Sequence, residues 1–203
     1  MSPESTLMRI HQAARKEFRE RGFHGASLRS IVKSLGMTTG AFYGYYKSKE
    51  DLFAALAEDH YRYLLDRFRQ AQEEFAHLPY ACQPEVLGDF SGACMFDMLH
   101  YAYDHLEDCQ LLLCCAEGTR FAGLVDEMVQ IETDATHNYF QVLEELGRPV
   151  PDIDLRLEHI LITGMFRTFF ELIIHAMPLN EAENYLREMR AFYTAGWMKI
   201  MGQ

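Results

Sequence analysis

No apolar run in this chain approaches the roughly 20 residues that cross a bilayer; the runs at 111–116 and 160–166 fall far short, so no membrane partner is expected. The N-terminus lacks the apolar block of an export signal, since Leu7, Ile10 and Phe18 are spaced for one face of a helix. Alternation of apolar and polar residues, the mark of a half-buried strand, is missing at any useful length, which leaves an all-α fold. There is no glycine-rich phosphate loop, no nucleophile elbow and no His-Glu-x-x-His, and the scattered acids form no recognisable pair. An enzyme is therefore not expected, nor is a catalytic residue or a cofactor. Internal repeats and low-complexity segments are absent too. Cysteines are few and odd in number, five, which in a chain without an export signal suggests free thiols in a reducing cytoplasm. Basic residues are scarce as well: 19 Lys and Arg face 30 Asp and Glu, a formal net charge of −11 that at first argues against nucleic acid.

The distribution of charge reverses that argument. Residues 1–52 hold nine Lys and Arg against five acids, a net of +4, which leaves −15 for the remainder of the −11 total. Such asymmetry suits a chain in which one end meets phosphates and the other must not lie down on DNA.

What is present is concentrated in residues 27–52, SLRSIVKSLGMTTGAFYGYYKSKEDL. Leu28, Ile31, Val32 and Leu35 recur at helical spacing, Ser27 is placed to accept the first free backbone N–H groups, and Gly36 supplies a turn. A second helix, with Thr38 as its cap and extending to about Tyr45, is too short to stand alone. Its faces separate. Phe42 and Tyr46 lie one turn apart and point inward with Leu35, while Thr39, Gly40, Tyr43 and Gly44 form a face with little bulk beyond one phenol. Hydroxyls can bond base edges or phosphates, and glycines let a backbone approach a duplex closely. The pattern reads as a helix-turn-helix.

Residues 5–52 resemble the N-terminal domain of the TetR family of bacterial transcriptional regulators. The resemblance rests on the first helix ending at Arg21-Gly22-Phe23, the Ala26-Ser27-Leu28 start of the second, the Gly36 turn, and Thr38-Thr39-Gly40-Ala41-Phe42-Tyr43 running into Tyr46-Lys47-Ser48-Lys49-Glu50-Asp51-Leu52. It implies phosphate contacts at Ser27, Thr38, Tyr43 and Lys49, and base-facing positions at Thr39, Gly40 and Gly44. Tyr45 joins these as a candidate, because family members often carry a histidine near Gly44 or Tyr45. A longer side chain is also common where Thr39 stands, so readout here would lean on Tyr43 and on DNA shape. The implied division is a DNA-binding domain over 1–50 and a helical ligand-binding and dimerisation domain over 51–203.

Beyond Leu52 the chain reads as helices. Ser48 with Asp51 caps a long one that Pro79 stops, Pro84 opens a second that is apolar on two sides, and further helices are expected near 108–117, 121–146, 154–177 and 180–201. The helix at 154–177 is apolar nearly all round, so it has two dry faces to cover and one monomer covers only one. A homodimer joined by the last two helices follows, with two reading helices and a near-palindromic double-stranded DNA operator. For a small hydrophobic or amphipathic effector, the candidate lining is Cys94, Met98, Tyr101, Phe121, Met128, Tyr139, Phe166 and Phe170, with Asp97, Glu132 and Glu171 as acids able to select a cation. A repressor released by such a molecule is the expectation, with a helical ligand-binding module that binds no DNA as an alternative.

A metal- or thiol-responsive regulator is a further alternative, but geometry disfavours it. On one helix Cys109 and Cys114 point about 140° apart, with Cys115 further round, so they converge on no metal. His100 with Asp104, and Tyr101 with His105, give pairs without a third ligand, and no metal site is assigned.

Overall fold

The computed structural model describes residues 3–200, and within that span every side chain but those of residues 3 and 88–91. The helices are α1 (Pro3–Gly25), α2 (Leu28–Ser34), α3 (Thr39–Phe42), α4 (Lys49–Ala76), α5 (Gln83–Asp104), α6 (Leu106–Cys115), α7 (Leu124–Glu145), α8 (Leu155–Ile174) and α9 (Leu179–Ile200); no strand occurs among the described residues. The all-α expectation holds, and the expected end of the last helix at Met201 lies outside the described residues. Gln83 and Pro84 open α5 behind a single 3₁₀ turn at Tyr80–Cys82.

The chain forms two compact units, Met1–Tyr63 with His105–Gly123, and Leu64–Asp104 with Leu124–Gln203. The first unit thus holds α1 to α3, the first half of α4, and also α6, which the 1–50 and 51–203 division places elsewhere. Its core is aromatic. Phe53 meets Phe18 edge-on with ring centres 5.1 Å apart, and Phe23 at 5.4 Å; Phe121 lies 6.1 Å beyond. Ile10, Ile31, Phe42 and Leu52 are buried around them.

Polar groups fix the local geometry of this unit. At Gly22 the backbone turns to φ +65°, a conformation that costs glycine nothing, and the helical path of α1 breaks there as the Arg21-Gly22-Phe23 pattern implies. Ser27 stands at the N-cap of α2, yet its hydroxyl makes no capping bond. Glu17 ties down this start in another way: Oε1 accepts from the Ser27 N–H at 3.1 Å, and Oε2 accepts from the Ser30 hydroxyl at 2.8 Å. Thr38 and Ser48 do cap as expected, accepting from the N–H groups of Ala41 at 3.2 Å and Asp51 at 3.0 Å. Gly36, at φ +65°, closes the turn between α2 and α3. Arg15 of α1 grips Asp108 of α6 with two bonds, 2.6 and 2.7 Å, and His60 of α4 lies 3.7 Å from the same carboxylate.

In the second unit α8 is the central element. Ile162, Phe166, Phe169, Phe170 and Ile173 are buried, with the Phe68 ring edge-on to Phe166 at 5.1 Å. Asp154 caps α8 by accepting from the N–H groups of Arg156 and Leu157. The end of α8 is held by the Tyr103 hydroxyl, 2.6 Å from the Met177 carbonyl and 3.1 Å from that of Leu172. Part of this unit's apolar surface stays open: Leu155, Leu157 and Ile160 on α8, and Tyr185, Phe192 and Met198 on α9, are exposed.

Candidate nucleic-acid interface and cavity

The second helix of the motif ends at Phe42 and not near Tyr45 as expected, with residues 43–45 in a turn; so short a helix has to be oriented by neighbours, and α3 is. Phe42 is wholly buried, its ring 6.1 Å from that of Tyr46, and the Tyr46 hydroxyl is 2.5 Å from His11 Nε2 on α1. With those two rings anchored inward, the opposite face is turned out: Thr38, Thr39, Gly40, Tyr43, Gly44 and Tyr45 are all exposed, Tyr43 by 54%. A Cβ added at Gly40 would meet open space, so no contact inside the protein demands a glycine there. Ser27 is exposed at the start of α2. Seven of the eight candidate DNA-binding residues are therefore each exposed, and the exposed cations Arg29, Lys33 and Lys47 stand in the same stretch of sequence.

Lys49, the eighth, is engaged otherwise. Its Nζ donates to the carbonyls of Phe23 at 2.7 Å, Ala26 at 3.2 Å and His24 at 3.4 Å, and lies 4.4 Å from the centre of the Phe23 ring. An ammonium has three N–H bonds, and three carbonyls face them here. Lys49 is thus a clamp that closes the C-terminal end of α1 onto the start of α4. Sequence reasoning missed this and the role of Glu17. The signal for Glu17 was an acid between Ala14 and Phe18 on the inward stripe of α1; the signal for Lys49 lay only in tertiary structure.

Within the second unit there is a cavity of about 290 Å³. Phe75, Tyr139, Tyr193 and Trp197 supply aromatic wall, and Met95, Met165 and Met189 the pliable part. Of the eight candidate effector-lining residues, Tyr139 alone is among those lining it. Met98, Met128, Phe166 and Phe170 are spent in the core of the same unit, Cys94 is buried with its thiol 3.6 Å from the Arg67 carbonyl, and Tyr101 is half-buried. Phe121 sits in the other unit against Phe53 and Tyr61. Bulk on an inward stripe could not separate wall from core, because both faces of such a helix are dry.

The three acids sort clearly. Asp97 is bonded to Arg67 at 2.6 Å and Glu171 to His175 at 2.8 Å, both on the surface. Glu132 instead lines the cavity, accepting from Gln72 Nε2 at 2.7 Å. Glu132 is half-buried and is among the residues that line the cavity. Burial pushes its pKa up to about 7; the Gln72 bond opposes the shift, and the nearby Glu158 carboxylate adds to it. Among the described residues no group of three or more His, Cys, Asp or Glu is placed to hold a metal ion. Burial pushes the thiols of Cys94 and Cys109 up to about 12, the reverse of what a reactive thiolate needs.

Comparison with known proteins bears on both regions. Residues 10–56 match the family model described as bacterial regulatory proteins, tetR family. Along nearly the whole chain, 202 residues, the sequence is 38% identical to the HTH-type transcriptional regulator UidR of Escherichia coli, covering 98% of this chain and 92% of that one. An uncharacterised HTH-type regulator of Bacillus subtilis, YdgC, is 49% identical over 51 residues, a quarter of each chain. In fold, a TetR-family member from Streptomyces coelicolor superposes with a TM-score of 0.57 at 15% identity over 91% of this chain and 88% of that one. PfmR of Thermus thermophilus, also of the TetR family, gives 0.52 at 16% identity over 91% and 96%. With an outward-facing α3 in the matched segment and a relative of this identity along its length, the chain belongs to the TetR family of helix-turn-helix transcriptional regulators.

Proposed function

We propose that this regulator is a repressor that binds a near-palindromic operator as a homodimer and is released by a small hydrophobic or amphipathic molecule. The observation that carries the reading is the division of α3 and the turn that follows it: Phe42 and Tyr46 buried or anchored, and Thr39, Gly40, Tyr43 and Gly44 exposed. Phosphate contacts from Ser27, Thr38 and Tyr43 would set the register, with Thr39, Gly40, Gly44 and Tyr45 at base edges. The functional division remains 1–50 for reading and 51–203 for sensing and pairing.

Pairing through α8 and α9 is supported by the apolar side chains they leave open. Ile160 is 63% exposed and Phe192 73%, and a second copy would cover such a face about a two-fold axis. Release is a population shift: a ligand that favours one spacing of the two heads pulls the dimer off successive grooves. The test is selection of bound duplexes from a random pool at about 150 mM salt, where non-specific binding is suppressed, with the oligomeric state measured alongside. Enrichment of a two-fold symmetric site by a dimer is expected. No enrichment by folded protein would overturn the operator reading, and a monomer on an asymmetric half-site would overturn the pairing.

A further inference from the structure

The carboxyl of Glu132 is placed as few protein carboxyls are. It occupies a position on α7 where Met128, Ala135 and Tyr139, four before and three and seven after, are inward residues, so the helix carries an acid within its own apolar stripe. An ionised carboxylate removed from water demands a cation or several donors. Here it has one neutral donor, the Gln72 amide, and the charge that acts on it is that of another acid, Glu158. Glu158 does not relieve it: that side chain is 1% exposed, is bonded to His137 at 2.9 Å, and its Oε1 has no hydrogen-bond partner in the structure.

Arg190 lines the same cavity but is committed elsewhere. A Cβ on Gly92 would collide with its guanidinium, so the group is pressed against the α5 backbone there, and it also lies over the Phe96 ring at 5.9 Å. It is not among the groups that act on Glu132. The cavity therefore presents an acceptor with spare capacity at one place, with aromatic rings and methionines for the rest of a ligand. At about 290 Å³ it lies at the small end of sites for drug-sized molecules, roughly 300 to 1,000 Å³.

We propose that Glu132 is the polar anchor of the effector, and that the effector carries a hydrogen-bond-donating head, a hydroxyl or a protonated amine, on an aromatic or alicyclic body of about two rings. This rests on reading the cavity as the effector site. A donor directed at Glu132 supplies the bond that burial withholds, and an ammonium supplies charge as well. An anionic head at the same place would set a third negative charge beside Glu132 and Glu158. The rings of Tyr139, Tyr193 and Trp197 suit a flat body by stacking, and the face of an aromatic ring also attracts a cation.

A matched series separates these cases: 1-naphthylmethylamine, 1-naphthalenemethanol and 1-naphthoic acid share one body and differ in the head. Each is titrated calorimetrically into the full chain at pH 8, for the wild type and for Glu132→Gln, an isosteric change that removes the buried charge. The wild type should bind the amine most tightly, the alcohol next and the acid least. Glu132→Gln should weaken the amine by about tenfold and the alcohol by about threefold, charge-assisted bonds being roughly twice as strong as neutral ones. The acid should gain or stay level. Failure of all three probes to bind the wild type, tightest binding of the acid, or an equal response of all three heads to Glu132→Gln would each overturn the anchor. Operator affinity is read in the same samples and reports on the effector reading separately. Glu132-dependent binding that leaves DNA affinity unchanged upholds the anchor and sinks the effector role; release of DNA that is indifferent to Glu132 does the converse.

Discussion

The two units spend their polar side chains in opposite ways. In the unit that carries α1 to α3, polar groups close on the backbone: Glu17 holds the start of α2, Lys49 the end of α1, Thr38 the start of α3, and Arg15 ties α1 to α6 through Asp108. In the other unit several polar atoms are left short: Glu132 has one amide, and Glu158 Oε1 and Thr163 Oγ1 are buried without partners. A surface that must match the fixed spacing of a duplex gains from over-determined geometry, since every bond within the head removes a way of missing the groove. A cavity that must admit a molecule gains from unmet bonding capacity, because a group already satisfied offers a ligand nothing.

The largest effect that tests this contrast is in the head's core. Phe53→Ala removes the ring on which Phe18, Phe23 and Phe121 all lean, and should cost about 3 to 5 kcal/mol of stability. Denaturant unfolding followed by circular dichroism measures it. Should the two units unfold independently, Phe53→Ala would split one transition into two and leave the later one unmoved; a single transition shifted as a whole would show that the units fold together.

A smaller effect carries a sign. Asp108 and Glu132 are both partly enclosed carboxyls, one in each unit, and pH should act on them oppositely. Burial would raise the pKa of Asp108, but bonds from His60 and Arg15 outweigh it and bring it from 3.8 to about 2. Its folded-state value lies below its unfolded one, so its contribution is complete above about pH 4 and is lost as pH falls toward 2. Glu132 is raised from 4.5 to about 7, with Gln72 opposing and Glu158, itself bonded to His137, reinforcing. Below about pH 4.5 both of its states are protonated and burial costs nothing; the cost grows to pH 7 and then stays. Glu132→Gln should therefore stabilise the protein above pH 7, and much less at pH 5, by about 1 to 3 kcal/mol. Asp108→Asn should destabilise it by about 1 to 2 kcal/mol at pH 7, discounted for its open side, and by less at pH 3. Melting temperatures across pH 3 to 8 decide; parallel curves for the two variants would remove the contrast.

How much of this was legible in the sequence differs between the units for a physical reason. The helix order, the Thr38 and Ser48 caps, the Gly22 and Gly36 breaks and the inward Phe42 could be read because each depends on residues within about a turn of one another. Glu17 and Lys49 could not, since their partners lie ten or more residues away and the bonds exist only once α1 meets α2 and α4. The cavity was the least legible. Met128 and Tyr139 occupy the same stripe of α7, yet one is core and the other wall, and only the placement of α9 separates them. Tyr139 and the acid at 132 were the marks that the sequence left there, and the meaning of the acid depended on Gln72.

Tyr43 and Gly40 refine the contrast at the reading face. Tyr43→Phe deletes one hydroxyl from a side chain that is 54% exposed, so stability should move by less than about 0.5 kcal/mol. If the phenol bonds a phosphate, operator affinity should fall about five- to thirtyfold, a hydrogen bond to a charged group being worth roughly 1 to 2 kcal/mol. Unchanged affinity would assign the ring to shape alone.

Gly40→Ala gives the sharper distinction. The added methyl meets open space, and Gly40 lies within α3, where alanine is favoured over glycine by about 0.5 to 1 kcal/mol. The free protein should thus be unchanged or slightly stabilised, while the operator complex weakens wherever the backbone of α3 approaches the duplex closely enough for a methyl to intrude. Opposite signs in melting temperature and in operator affinity would mean that position 40 is kept bare for DNA. A rise in both would mean that the backbone stands clear of the groove, and would move the base-reading role to Thr39, Tyr43 and Tyr45.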